Sequence, residues 1–266
     1  MRILLIGDII GQPGRAIVEH LVVSLREEFA IDLVIANCEN AAAGAGITPK
    51  IADELFSAGV DVLTSGNHVW KLKEAFELLK RDPRVIRPAN YPDGAPGSGS
   101  TIVESLSGHK VGVLNLMGRV FMEPLDCPFR SAERELARLH LVTPVIIVDM
   151  HAEATSEKVA MGWFLDGRVS CVFGTHTHIP TADERILPKG TGFITDVGMT
   201  GPYDSVIGRR VDQILQRFLL QLPVRSEVAD GNVQLRGVLV DVDSKTGKAI
   251  SIQRLARTQD DHAAIS

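Results

Sequence analysis

Apolar runs of strand length recur along the chain, and each empties into a short polar tip. Residues 2–7 lead to Asp8, residues 32–37 to Cys38-Glu39-Asn40, and residues 60–64 to Ser65-Gly66-Asn67-His68. Residues 144–150, the most apolar run of all, end at His151, and residues 169–173 end in Gly174-Thr175-His176-Thr177-His178. Each of the first three runs is followed by a stretch with helical apolar spacing, over 14–29 (Ile17, Leu21, Leu25, Phe29), 48–58 and 71–80. Thr48-Pro49 supplies an N-cap and a proline suited to the first helical position. Three successive strand-tip-helix units predict a sheet with a parallel portion and right-handed crossovers, with ligands gathering at the carboxyl ends of its strands.

The second half predicts a hairpin of 101–105 with 110–116, helices over 131–139 and 152–166, and a hairpin of 183–187 with 191–195. A helix over 211–220 and a hairpin of 232–242 with 248–255 follow. The loop 87–92 is expected to border the site, and the glycine-rich segment 196–203 to line it. No linker or repeat breaks the pattern, so 1–258 reads as a single domain and 259–266 as a polar, frayed tail.

At 266 residues, with 45% hydrophobic and 23% charged positions, the chain has ample material for a core. A net charge of −5 argues against a stable nucleic-acid partner or an anionic membrane, both of which select a basic face. The opening apolar run is too short for a secretion signal, and no stretch approaches the ~20 apolar residues of a spanning helix. Cys38, Cys127 and Cys171 are odd in number and without metal-site spacing, which suits reduced thiols in the cytoplasm. Arg209-Arg210 reads as a solvated face, and Glu153, Thr155 and Ser156 as neighbours of the site without an assigned role.

Taken one at a time, the tip residues have ordinary roles. Asp8 could cap a helix, Asn67 could close an Asx-turn, His68 could be a loop residue and His151 a hydrogen-bonded histidine at a helix start. Taken together, Asp8, Glu39-Asn40, Asn67-His68, His151, His176 and His178 are oxygen and imidazole donors without thiolate, which suits Mn, Fe, Zn or similar ions. Even with His68 set aside, seven ligands exceed what one ion with an open position needs and match two ions sharing a carboxylate.

The ordered set Gly7-Asp8, Glu39-Asn40, Gly66-Asn67-His68, His151 and Gly174-Thr175-His176-Thr177-His178 resembles the calcineurin-like metallophosphoesterases. Glu39 in the second motif, Asn40 after it, and the segments 151–158 and 196–201 make it similar to their bacterial YmdB-like branch. The resemblance implies an α/β fold, a four-layer sandwich with two mixed β-sheets flanked by helices. It also implies two divalent or mixed-valence transition-metal ions, Fe or Mn with Zn as a further fit. One ion would take Asp8, Glu39, Asn40 and His178, and the other Glu39, Asn67, His151 and His176. His68, unligated, would protonate the departing oxygen. Two departures stand out: Ile10 occupies the place of a family histidine, for which Asn40 offers a replacement oxygen, and Val69 replaces the acid that usually follows Gly-Asn-His.

The implied activity is hydrolysis of phosphodiesters, above all 2′,3′-cyclic nucleoside monophosphates, by a metal-bridging hydroxide acting in line. The alternatives are a broad phosphomonoesterase or protein phosphatase on the same site, or a low-turnover nucleotide-binding regulatory protein. The expected partner is a small phosphodiester, and a homo-oligomer is left open.

Overall fold

The alternation Ile3-Leu4-Leu5-Ile6 sends Ile3 and Leu5 to one face of the first strand and Leu4 and Ile6 to the other, and all four are fully buried. A strand buried on both faces needs a layer on each side, and the chain supplies them. The structure, a computed structural model, describes residues 1–261. Its elements in order are β1 (Arg2–Ile6), β2 (Asp8–Ile9), α1 (Gly11–Phe29), β3 (Leu33–Asn37), α2 (Pro49–Ser57), β4 (Val62–Thr64) and α3 (Glu74–Arg81). Then come β5 (Ser100–Glu104), β6 (Lys110–Met117), α4 (Pro128–Leu139), β7 (Ile146–His151), α5 (Thr155–Leu165) and β8 (Cys171–Thr175). The chain closes with β9 (Arg185–Ile186), β10 (Gly192–Ile194), β11 (Met199–Pro202), α6 (Val211–Leu220), β12 (Val233–Val242) and β13 (Ala249–Thr258).

Two mixed sheets result. The first runs β2-β11-β12-β1-β3-β4 with β13 also on β12, and the second runs β5-β6-β7-β8-β10-β9. In the first, β1, β3 and β4 are parallel and β12 is antiparallel to β1. In the second, β6, β7, β8 and β10 are parallel, with β5 and β9 antiparallel at the edges.

Side-chain parity sorts the core into three layers. Ile3, Leu5, Leu33 and Ile35 of the first sheet meet Val111, Val113, Ile147 and Phe173 of the second. Leu4, Ile6, Val34 and Ala36 face Ile17, Val18, Leu21 and Leu25 of α1. Leu114, Leu116, Val148 and Met150 face Ala132 and Leu136 of α4 and Met161 and Leu165 of α5. The arrangement is helix, sheet, sheet, helix, the four-layer α/β sandwich with flanked mixed sheets that the family resemblance implied.

Several expectations need correction. Asp8 lies on a short strand, β2, pairing parallel to Met199 and Thr200 of β11, rather than in a loop, and α1 begins at Gly11 rather than at residue 14. The segment 196–203 contains that strand, so its glycines serve close strand packing rather than a cleft lining. The loop 87–92, by contrast, stays beside the site as expected: Asn90 bonds Met117 and the Asp126 carbonyl, and Tyr91 meets Trp70 edge-on at 5.3 Å and lies near enough to Glu39 to feel its charge. In the expected tail, residues 259–261 form a short 3₁₀ turn in which Asp261 accepts from Thr258, and residues 262–266 lie outside the described ones.

Leu5 sits midway between the sheets, beside Ile35 and Val238 in register. Replacing it with alanine opens a cavity between layers that neither sheet can close alone. Leu5→Ala is expected to cost about 2–5 kcal/mol, read as a lower urea midpoint at unchanged slope.

Candidate metal centre

The tips of β1, β3, β4, β7 and β8 converge at one end of the two sheets, bringing together all of the donor residues singled out above. His151, the last residue of β7, is completely buried, and its orientation is fixed from behind. Its Nδ1 lies 2.8 Å from Thr175 Oγ1, whose single proton is donated to Asp149 Oδ1 at 2.7 Å. The hydroxyl therefore accepts from Nδ1–H, and the neutral ring turns the Nε2 lone pair forward. Asn37 and Thr64 also donate to Asp149, at 2.9 and 2.5 Å, so the carboxylate anchors the end of β3 and of β4 as well.

In front of Nε2 stand Glu39 Oε2 at 3.0 Å, Asn67 Oδ1 at 3.1 Å and His176 Nδ1 at 3.1 Å. His176 Nε2 faces Glu153 Oε2 at 3.1 Å, which places its proton there and leaves a lone pair on Nδ1 as well. While the His151 ring is neutral, no hydrogen lies between its Nε2 and these three electron-rich atoms. Their complement is a cation: tetrahedral ligands ~2.0–2.1 Å from a zinc-sized ion lie about 3.3 Å apart, close to the spacing here.

Glu39 also belongs to a second cluster with Asp8 and His178, whose ligand atoms lie within 4.8 Å of one another, as do those of Glu39, His151 and His176. His178 Nδ1 donates to the Ile207 carbonyl at 3.0 Å, so its Nε2 lone pair faces Asp8 Oδ1 at 4.0 Å. Asp8 Oδ2 accepts from the His176 amide, but Asp8 Oδ1 has no hydrogen-bond partner, and neither has the buried Asn40 Oδ1. Such atoms are costly to bury unpaired, and they account for two of the four found among the described residues. Both donor sets fit divalent ions.

Electrostatics point the same way. Burial pushes the Asp8 carboxyl up despite His178 and His151 nearby. Burial also opposes the Glu39 charge, but His151 and His68 hold its carboxyl well below the usual range. Burial alone would lower His151, yet the charge and hydrogen bond of Glu39 raise it to about 9. His176 drops to about 3, by burial and by the neighbouring His151, and stays neutral. The centre attracts positive charge wherever a proton can supply it.

The loop carrying His176 and His178 adopts positive φ at both histidines, 92° and 66°, a conformation that the surroundings must enforce. Asp8 accepts the His176 amide, Asp196 accepts the Thr177 amide and hydroxyl, and the Met199 amide donates to the His178 carbonyl. Lys158, 1% exposed, neutralises Asp196 at 2.7 Å. Gly66 is required by close approach: a Cβ there would lie 2.2 Å from His151 Nε2.

His68 stands at the mouth, 28% exposed, with Nδ1 3.2 Å from Glu39 Oε1 and 3.1 Å from Asn40 Nδ2. A cleft of ≈ 300 Å³ opens over it, walled opposite by Ile207 and Arg209. Arg209 is therefore not the solvated residue its sequence neighbourhood suggests; its guanidinium donates to the Gly44 carbonyl at 2.6 Å, bracing the loop after Asn40. Sequence reasoning gave no role to Asp149, Thr175, Asn37, Lys158 or Asp196. A carboxylate inside the most apolar strand was the available signal for Asp149. Glu153 proves to orient His176, whereas Thr155 and Ser156 lie in the first turn of α5 without a contact to the donor cluster.

A four-layer sandwich of the calcineurin-like type, with two acid–histidine clusters sharing a glutamate at its strand tips, defines a class of phosphoester-hydrolysing metalloproteins. Within it, the chain belongs to the YmdB-like protein family, whose model matches residues 4–255. It is 50% identical over 262 residues, 98% of each chain, to the 2′,3′-cyclic-nucleotide 2′-phosphodiesterase of Bacillus subtilis. It superimposes with a TM-score of 0.91 on the crystal structure of a hypothetical protein from Thermus thermophilus, at 43% identity over 97% of this chain and 99% of that one. It is also similar to a phosphatase from Mycoplasma pneumoniae, with a TM-score of 0.90 and 36% identity over 97% and 93% of the two chains.

Thr175→Val keeps the shape of the strand but removes the link from Asp149 to His151. Manganese affinity measured by chelator competition is expected to fall about 10–100-fold, and an unchanged affinity would strike Thr175 from the set. Because the raised His151 pKa means that a proton competes with the ion below about pH 9, affinity is expected to climb as pH rises towards that value, with proton release in calorimetry.

Proposed function

We propose that this chain hydrolyses 2′,3′-cyclic nucleoside monophosphates with two transition-metal ions, Fe or Mn, Zn also fitting the donors. One ion would be held by Asp8, Glu39, Asn40 and His178, and the other by Glu39, Asn67, His151 and His176. The observation that carries this reading is the convergence of lone pairs on His151 Nε2, together with the unpartnered Asp8 Oδ1, on either side of one glutamate. The activity named for the Bacillus subtilis relative supports the choice of substrate.

When bound, such ions neutralise phosphoryl oxygens and bring the pKa of water from 15.7 to about 7. The chain's own residues do the rest. Glu39, fixed by the His68 amide and ring, sets the separation of the two clusters. His151 and His176 are held in orientation by Thr175 and Glu153 before substrate enters. Two divalent ions outweigh the two carboxylates, Asp8 and Glu39, which gives a cleft that draws in a phosphodiester on an acidic protein. His68 has Nδ1 engaged by Glu39 and Asn40, which leaves Nε2 to hand a proton to the departing ribose oxygen. The chain works as one domain over 1–258, without a stable nucleic-acid partner, in the cytoplasm, a setting to which its three free cysteines are suited.

His68→Ala is expected to lower kcat by about 10²–10⁴ while elemental analysis still finds both ions; loss of an ion would make His68 a ligand instead. A panel of 2′,3′-cyclic, 3′,5′-cyclic and monoester substrates on the metal-loaded enzyme tests the substrate, and preference for monoesters would overturn the diesterase reading. Activity should vanish on chelation and return with Mn or Fe.

A further inference from the structure

Residues 206–209 form a tight hairpin turn: the Val206 amide donates to the Arg209 carbonyl at 2.9 Å, and the Arg209 amide to the Val206 carbonyl at 3.0 Å. Its two central residues, Ile207 and Gly208, both have positive φ, 46° and 94°. Glycine suits that conformation and asparagine is its usual companion, whereas a β-branched side chain there is strained. The turn is nevertheless held firmly. The Ser205 hydroxyl accepts the Gly208 amide at 2.8 Å, and the Ile207 carbonyl accepts from His178 Nδ1 at 3.0 Å. The Ile207 side chain does not join a core; it is 48% exposed and belongs to the wall of the ≈ 300 Å³ cleft that also holds His68, Glu39 and Asn40. Every other described residue lining that cleft is a carboxylate, an amide, a histidine, a threonine or an arginine, and no phenylalanine, tyrosine or tryptophan is among them.

We propose that Ile207 is a specificity-determining residue of this cleft, the shelf on which the nucleobase of the substrate lies; the inference rests on the nucleotide substrate proposed above. A nucleotide joins an anionic group to a flat, largely apolar base, and a cleft that takes both needs two unlike surfaces. The donor clusters supply one of them. Ile207 is the apolar contact that the described wall offers to the other, and covering a half-exposed isoleucine removes apolar area from water. Its backbone strain fits the same role, since unfavourable φ values gather where a side chain is presented to a ligand. Arg209 beside it is already engaged, its guanidinium donating to the Gly44 and Ser226 carbonyls at 2.6 and 3.4 Å. Because the Ile207 carbonyl also fixes His178, a single turn sets the shelf against the donor cluster of Asp8, Glu39 and His178. An aliphatic shelf offers no hydrogen bond by which to read the base, so it accepts purines and pyrimidines alike.

Calorimetric titration of the manganese-loaded full chain with adenosine 3′-monophosphate, ribose 5-phosphate and inorganic phosphate tests this. The wild type is expected to bind the nucleotide more tightly than either probe without a base. Ile207→Asn, which suits the turn better than isoleucine, is expected to weaken nucleotide binding about tenfold while inorganic phosphate binding, manganese content and melting temperature hold. Ile207→Leu, apolar again, is expected to restore the preference for the nucleotide. On a 2′,3′-cyclic nucleotide the loss in Ile207→Asn is expected in KM rather than in kcat. A wild type that binds the nucleotide no better than phosphate, or an Ile207→Asn variant with undiminished nucleotide affinity, would overturn the proposal. So would a loss shared by ribose 5-phosphate or by all three probes, which would assign Ile207 to the sugar or to the turn alone. Failure of the wild type to hydrolyse the cyclic nucleotide would instead refute the proposed activity, and the titration would still decide the part played by Ile207.

Discussion

Glu39 is a fully buried carboxylate that faces, within hydrogen-bond distance, the one imidazole locked most tightly from behind. Neither group is stable there alone: the carboxylate has left water, and the ring offers it a lone pair rather than a proton. Positive charge has to be supplied at that point, by a proton on His151 or by an ion shared with Asn67 and His176. The geometry of the surrounding strand tips follows from this need. Gly66 clears room for the approach, Asp149 and Thr175 settle the tautomer, and the His176 and His178 loop accepts unfavourable backbone angles to aim its rings.

The two-sheet architecture is what lets a stable molecule hold such a site. Glu39, Asn67 and Asp8 come from the first sheet, and His151, His176 and His178 from the second, so the centre bridges the seam between them. Beneath it the interlayer of Ile3, Leu5, Ile35, Val113, Ile147 and Phe173 holds the sheets face to face. Polar cross-links finish the join: Asn37 and Thr64 of the first sheet both donate to Asp149 of the second. The hydrophobic layer provides most of the cohesion, and the polar links fix the register with which the ligands meet.

On the loop side, the Lys158–Asp196 pair plays the corresponding part. Asp196 accepts from the amide and hydroxyl of Thr177, and a buried lysine neutralises it, so the turn between the two histidines is pinned at its midpoint. Residues far from any phosphoryl group thereby set the position of those close to it. Arg209 acts similarly for the loop after Asn40, through backbone carbonyls rather than a carboxylate.

Local pattern was enough to read the strand-tip-helix order and the residues at the tips, because apolar runs and tip composition are written into contiguous segments, whereas the four-layer count came from the family resemblance. Asp8, Glu39, His151 and His176 were visible as donors for that reason. The sequence could not show that Asp8 sits on a strand paired with Met199, since the partner is almost two hundred residues away and β2 is only two residues long. Nor could it show that Asp149, Thr175 and Glu153 choose the tautomers, that Arg209 turns into the cleft, or that most apolar residues of α6 are left facing solvent. Those facts depend on which surfaces meet when two sheets close on each other, and contacts between distant segments leave no periodic trace along the chain.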